Sequence, residues 1–162
     1  MNHRDDLLVA DLSGFLRAFE WVNAKCDNGF TFRVNCVDGV SDVALAVAKQ
    51  FASENSISIS TEEIAYSREF MSKVLTRWLL CYLNDPVARD RLQDTRQNFS
   101  LSYPDFHSQL LNPILETIER LVAVRAAYKI ELTTKGHYAC DSDDIVIAGD
   151  DRMLFFHFSV SD

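Results

Sequence analysis

Glycine and proline are scarce in this chain, five and three among 162 residues, so long flexible linkers are not expected. The glycines (Gly14, Gly29, Gly39, Gly136 and Gly149) stand too far apart to build a phosphate-cradling loop or a dinucleotide fingerprint. The motifs GxSxG, HExxH and CGxCW, which mark common nucleophilic and zinc-dependent hydrolases, are missing. Apolar runs are short: the longest uncharged ones, such as Val43–Ala48 and Trp78–Leu83, reach about six residues, against roughly 20 for a membrane span. The opening MNHRDDLLVADL is charged too early and too often for a secretory signal. Without an export signal or CxxC spacing, Cys26, Cys36, Cys81 and Cys140 read as reduced thiols of a cytoplasmic protein.

What is abundant is acid. Asp and Glu number 24 against 16 Lys and Arg, a formal charge of −8. Phosphate recognition rests on Lys and Arg, so nucleic acid is a poor direct ligand, and an anionic membrane surface is no better. A basic protein partner is compatible. Hydrophobic residues make up 48%, and 162 residues suffice for a single globular domain, 1–162, with its own core.

Periodicity outlines an α+β fold. Leu8, Leu12, Phe15, Phe19 and Val22 recur at steps of three and four, predicting a helix over about 4–25 that stops at Asn28-Gly29. Phe30, Phe32, Val34 and Cys36 alternate with polar residues, as in a half-buried strand. Ser41 is expected to cap a helix to about Ser53, with Val43, Val47 and Phe51 inward. Ser56–Ser60 alternates as a short edge strand or extended connector. Ser60 with Glu63 fits a capping box, predicting a helix to about Leu83 that buries Ile64, Met71, Leu75, Trp78, Leu79 and Tyr82. Asp85-Pro86 opens a short helix, Asn98–Pro104 a loop, and Asn112-Pro113 a helix burying Ile114, Leu115, Ile118, Leu121 and Val122. From Ala127 the period becomes two. Strands are expected near Tyr128–Leu132, His137–Cys140, Asp144–Ala148 and Met153–Val160, the last two joined by a Gly149-Asp150-Asp151 hairpin. Helices packed on one face of an antiparallel sheet, with a C-terminal β-meander, is the expected architecture.

Candidate chemistry is thin. His137 and Cys140 have an HxxC spacing and His157 could lie across the sheet, but residues three apart on a strand point to opposite faces, so no metal site is expected. The acids of the C-terminal region lack the DxDxDG loop of a calcium-binding hand. Arg89, Arg91 and Arg96 interleave with Asp85, Asp90 and Asp94, as on a solvated ion-paired helix. Neither enzymatic activity nor a cofactor is expected.

The last 23 residues, CDSDDIVIAGDDRMLFFHFSVSD, hold six acids and one base. Asp141, Asp143, Asp144, Asp150 and Asp151 bracket apolar stretches. Asp is a common turn residue, but the aromatic company suggests more. One face of Met153–Val160 should be core, and the other should present an aromatic, either Phe155 or Phe156 with Phe158, inside a rim of carboxylates; the exposed aromatic expected in the contact is Tyr138 or Phe155. An aromatic centre with a charged rim suits a protein interface, and the acids would steer a basic partner.

In size, acidity and the order of helices followed by a sheet ending DDIVIAGDDRMLFFHFSVSD, the chain resembles the immunity proteins of bacterial contact-dependent growth inhibition. The resemblance implies an inhibitor that binds the toxic domain of its own strain, often a nuclease, and blocks it. It assigns no residue a role. Rival expectations are a small-ligand or regulatory module with a pocket between sheet and helices lined by Trp21, Trp78 and Tyr82, an adaptor subunit, or an enzyme using His137, Cys140 or His157.

Overall fold

The computed structural model describes residues 3–24, 29–39, 42–52, 56–81, 104–136 and 138–161. Among these residues four helices and five strands follow in the order α1 (His3–Asn23), β1 (Gly29–Asp38), α2 (Val43–Gln50), β2 (Ser56–Ile64), α3 (Arg68–Leu79), α4 (Pro104–Leu121), β3 (Ala126–Thr134), β4 (Asp141–Ala148) and β5 (Arg152–Ser161). The strands form one antiparallel sheet of order β1-β5-β4-β3-β2. The architecture is therefore α+β, with helices on an antiparallel sheet and a closing β3-β4-β5 meander. No helix among the described residues is long and apolar enough to cross a membrane.

Alternation along the central strands decides the layers, because successive side chains point to opposite faces. Phe32, Ile145, Ile147, Leu154, Phe156 and Phe158 point to one face. There they meet Leu12, Leu16 and Phe19 of α1, Met71, Leu75 and Trp78 of α3, and Leu111, Leu115 and Ile118 of α4. Each fully buried side chain of this size contributes about 1.5–3 kcal/mol, so this layer carries most of the stability. Val146, Ala148, Met153 and Phe155 point the other way and pack with Ala46, Val47 and Phe51 of the α2 region. β1 and β2 lie at opposite edges of the sheet. Between them in sequence, α2 and Phe51 pack on the back face and bury apolar surface there.

This packing corrects one expectation. Met153–Val160 was expected to have one core face and one face ringed by acids. Instead β5 lies between β1 and β4 with α2 behind it, and Phe155 is 4% exposed.

Other differences are local. Ser60 and Glu63 do not start a helix: Ser56–Ile64 is a strand paired with β3, and its alternating Ile and β-branched Thr suit a pleated edge. The helix begins about two turns later, where Ser67 Oγ accepts from Phe70 N at 2.9 Å. α2 is capped by Asp42, whose carboxylate accepts from Leu45 N at 3.1 Å. Pro113 lies inside α4. It removes one backbone donor, which is tolerated because Asn112, Pro113 and Gln109 face solvent. Residues 138–140 form no strand; β4 begins at Asp141. Ser41, Tyr82, the Asp85-Pro86 helix, Arg89–Arg96, residues 98–103, Cys26 and His137 lie outside the described residues.

Candidate interaction surface

The five aspartates of the C-terminal region divide among three places. Asp141 and Asp143 stand at the start of β4, and Asp150 and Asp151 follow its end. The eight residues of β4 separate the two groups by roughly 25 Å at strand rise. Asp144 belongs to the opposite sheet face and is 3% exposed.

At the first place, Arg77 near the end of α3 grips both carboxylates. Its Nη2 donates to Asp141 Oδ2 at 2.6 Å and its Nη1 to Asp143 Oδ2 at 2.7 Å. Trp78 Nε1 donates to the same Asp143 oxygen at 2.7 Å. The guanidinium lies 5.0 Å from the Trp78 ring centroid. Trp78 itself stacks on Phe158, with centroids 6.0 Å apart. These two acids thus dock α3 onto the sheet. Asn23, fully buried, completes the corner: its amide donates to the carbonyls of Trp78 and Leu79, at 3.0 and 3.2 Å, closing the end of α3. A polar residue ending an otherwise apolar helical stripe is the only sequence trace of that role.

On the α2 face, Asp144 Oδ1 lies 2.8 Å from His157 Nδ1, and Tyr138 donates its hydroxyl to Asp144 Oδ2 at 3.1 Å. His157 Nε2 lies 2.9 Å from Ser159 Oγ. With a carboxylate at Nδ1, a neutral imidazole carries its proton there and accepts from Ser159. The order Ser-His-Asp matches a nucleophilic triad, but its setting differs. Ser159 is 7% exposed, and β5 is paired on both sides, so its backbone donors serve the ladder rather than an oxyanion hole. The arrangement acts as a satisfied buried network. Tyr138 is half-buried within it, not displayed on an apolar patch.

The remaining two acids join others that sequence reading did not connect with them. The Asp150-Asp151 turn is closed by Gly149 N donating to Arg152 O at 2.8 Å. Gly39 N donates to Asp151 O at 2.7 Å, tying the end of β1 to this turn. Gly39 holds φ +71°, a backbone region that favours glycine. Arg152 reaches Asp38 at 2.7 Å, Asp5 of α1 at 3.0 Å, and the carbonyl of Leu121 at 3.1 Å. Hydrogen bonding to Asp38 above all, against some loss from burial, holds Arg152 more firmly protonated. Arg125 donates to Asp150 at 2.7 Å. These contacts bring Asp5, Asp38, Asp150 and Asp151 together with Arg125 and Arg152 at one end of the sheet; Arg4 and Asp6 flank Asp5 on α1, and Asp42 follows the end of β1 in sequence. Asp6, Asp42, Asp150 and Asp151 are exposed.

The thiols and imidazoles do not converge: among the described residues no cluster of three metal-ligating side chains exists. Burial pushes the Cys36 thiol up to about 11 despite the opposing charge of Arg152, which leaves it unreactive at neutral pH. Trp78 is 3% exposed and Trp21 77%. These two do not line a shared pocket, because Trp21 stands on the outer side of α1.

No family model matches the chain, and no curated protein does. Among solved structures the fold resembles citrus MAF1 in two crystal forms, each at 9% identity and a TM-score of 0.53. The matches cover 90% and 95% of this chain and 98% of each MAF1 chain.

Proposed function

We propose that this protein is a non-enzymatic cytoplasmic inhibitor that binds a basic protein, of the kind an immunity protein forms with its toxin. The reading rests on one observation: the acidic end of the sheet, where α1, the end of β1 and the β4–β5 turn bring Asp5, Asp38, Asp150 and Asp151 together against Arg125 and Arg152, with exposed Asp6 and Asp42 adjoining in sequence. Uncompensated acids on rigid elements steer a basic partner and raise its association rate, an effect that salt screens. A nuclease domain is basic where it holds nucleic acid, so it fits such a surface. Asp144 and Phe155 pass out of the proposed contact set by burial, and Asp141 and Asp143 because Arg77 and Trp78 hold them in the docking of α3, roughly 25 Å from the turn. Asp150 and Asp151 stay in it and are joined by Asp6 and Asp42.

The test is co-expression with the product of the neighbouring gene, which on this proposal carries a basic toxin domain, scored by growth and by binding at two salt concentrations. The intact protein should protect. An Asp6→Asn, Asp150→Asn, Asp151→Asn triple variant should bind about tenfold or more weakly at low salt and lose most of its salt dependence, with its melting temperature nearly unchanged. Unchanged affinity in the triple variant, or no protection by the intact chain, would overturn the proposal.

A further inference from the structure

The outer side of α1 carries a pattern the fold does not use. Leu12, Leu16, Phe19 and Asn23 are buried beneath the helix. On its far side, Leu7, Ala10, Asp11, Gly14, Arg17, Ala18 and Trp21 are all exposed. Steps of three and four place these seven on a single stripe. Its two large apolar members are conspicuous for a solvent face: Leu7 is 52% exposed and Trp21 77%. An open groove runs along Gly14, Arg17, Ala18 and Trp21.

Gly14 sharpens the point. Glycine inside a helix costs roughly 1 kcal/mol relative to alanine. A Cβ added here would meet nothing within 4 Å, and φ is not in the left-handed region. Among the described residues nothing calls for a glycine, so what it allows is close approach from outside.

The stripe is also its own complement. Reversed about Gly14, Leu7 falls opposite Trp21, Ala10 opposite Ala18, and Asp11 opposite Arg17. Neither Asp11 nor Arg17 takes part in an ion pair or side-chain hydrogen bond among the described residues. A twofold interface demands this reciprocity, in which residue i meets j and j meets i.

We infer that the outer face of α1 pairs antiparallel with the same helix of a second copy, crossing at Gly14. The two backbones approach closely at Gly14, flanked by Ala10 and Ala18, at a shallow angle of about 20°. Each Trp21 covers the partner copy's Leu7, and each Arg17 meets the partner copy's Asp11. The antiparallel sense also keeps the two acidic ends, each at the start of α1, away from each other. One helix pair is smaller than the ~1,200–2,000 Å² of stable interfaces, so the dimer forms in the micromolar range.

Sedimentation and light scattering of the full chain, from about 1 to 500 μM, test this. The mass should rise from 18.5 kDa toward twice that value, and Trp21 emission should shift to the blue with it. Gly14→Leu leaves the fold room and improves helix propensity, yet should weaken the dimer at least tenfold. Arg17→Asp should do the same. The double exchange Asp11→Arg/Arg17→Asp should restore the dimer, which a merely misfolded variant could not do. A wild type that stays at 18.5 kDa throughout would overturn the inference and leave this face to a different protein. A dimer indifferent to Gly14→Leu and Arg17→Asp would overturn it as well.

Discussion

Asp144 and His157 face each other across β4 and β5, with Oδ1 and Nδ1 2.8 Å apart, on the sheet face whose apolar part, Val146, Ala148, Met153 and Phe155, packs with α2. The carboxylate is 3% exposed and holds Tyr138 as well as His157. Removing it takes the carboxylate acceptor from both and leaves Tyr138 Oη and His157 Nδ1, 3.2 Å apart, to pair with each other. Asp144→Ala should cost about 1–3 kcal/mol in urea unfolding, the loss of two hydrogen bonds to a buried carboxylate. Asp144→Asn, which keeps one acceptor, should cost less. A loss below about 0.5 kcal/mol for the alanine variant would mean that water reaches the network freely.

Gly149 is fixed by crowding rather than by its dihedral angles. A Cβ there would lie 2.8 Å from Val122 Cγ1 and 3.0 Å from the carbonyl oxygen of Ala123. The second contact is backbone and yields little. Gly149→Ala should destabilise by about 1–3 kcal/mol through overpacking. Gly136→Ala, with nothing within 4 Å, should stay within about 0.5 kcal/mol. Paired thermal melts of the two variants compare a crowded glycine with an open one.

The fold was legible wherever one period ruled a long segment. The steps of three and four in α1 and the alternation of β1, β3 and β5 gave their elements nearly to the residue. Two signals misled because they are shared. Ser60–Glu63 spells a capping box, yet strand pairing with Ser60↔Glu131 and Glu62↔Lys129 wins over local propensity. Asn112-Pro113 looks like a helix start, yet Pro104 had already opened α4 nine residues earlier. The acidic surface was half legible. Asp150 and Asp151 stand out in sequence, but Asp5 and Asp38 join them through the 3.0 Å and 2.7 Å contacts of Arg152 and the pairing of β1 with β5. Sequence distance hides such a junction. Asp143 looks like a surface acid until Arg77 and Trp78, more than 60 residues away, arrive beside it.

Arg152 bonds Asp38, Asp5 and the Leu121 carbonyl, and so binds β5 to the end of β1, to α1 and to α4. Its side chain is 16% exposed, so these contacts are poorly screened. Arg152→Ala should cost about 2–3 kcal/mol, while Arg125→Ala, whose ion pair with Asp150 is exposed, should cost well under 1. Hydrogen exchange should locate the difference: in Arg152→Ala the first turn of α1 should lose protection before the centre of the sheet.

Cys36 gives the protein an alkaline weakness with a defined window. Burial raises its thiol from 9.0 to about 11, and the nearby charge of Arg152 only partly offsets this. Unfolding returns it to about 8.5–9, so the unfolded state releases its proton first. The stabilising effect is fully present below pH 9 and disappears as pH climbs from 9 to 11. With its partial exposure discounted, the loss is on the order of 1–2 kcal/mol. Tyr66 adds in the same direction at higher pH, because burial and then the charge of Glu119 raise its phenol. The difference between wild type and Cys36→Ala therefore isolates the thiol: stability curves from pH 7 to 11 should run parallel up to about 9 and converge above it. Curves that stay parallel throughout would show that Cys36 ionises alike in both states. The same cause predicts that iodoacetamide at pH 8 labels exposed Cys140 well before Cys36, as read by site-resolved mass spectrometry.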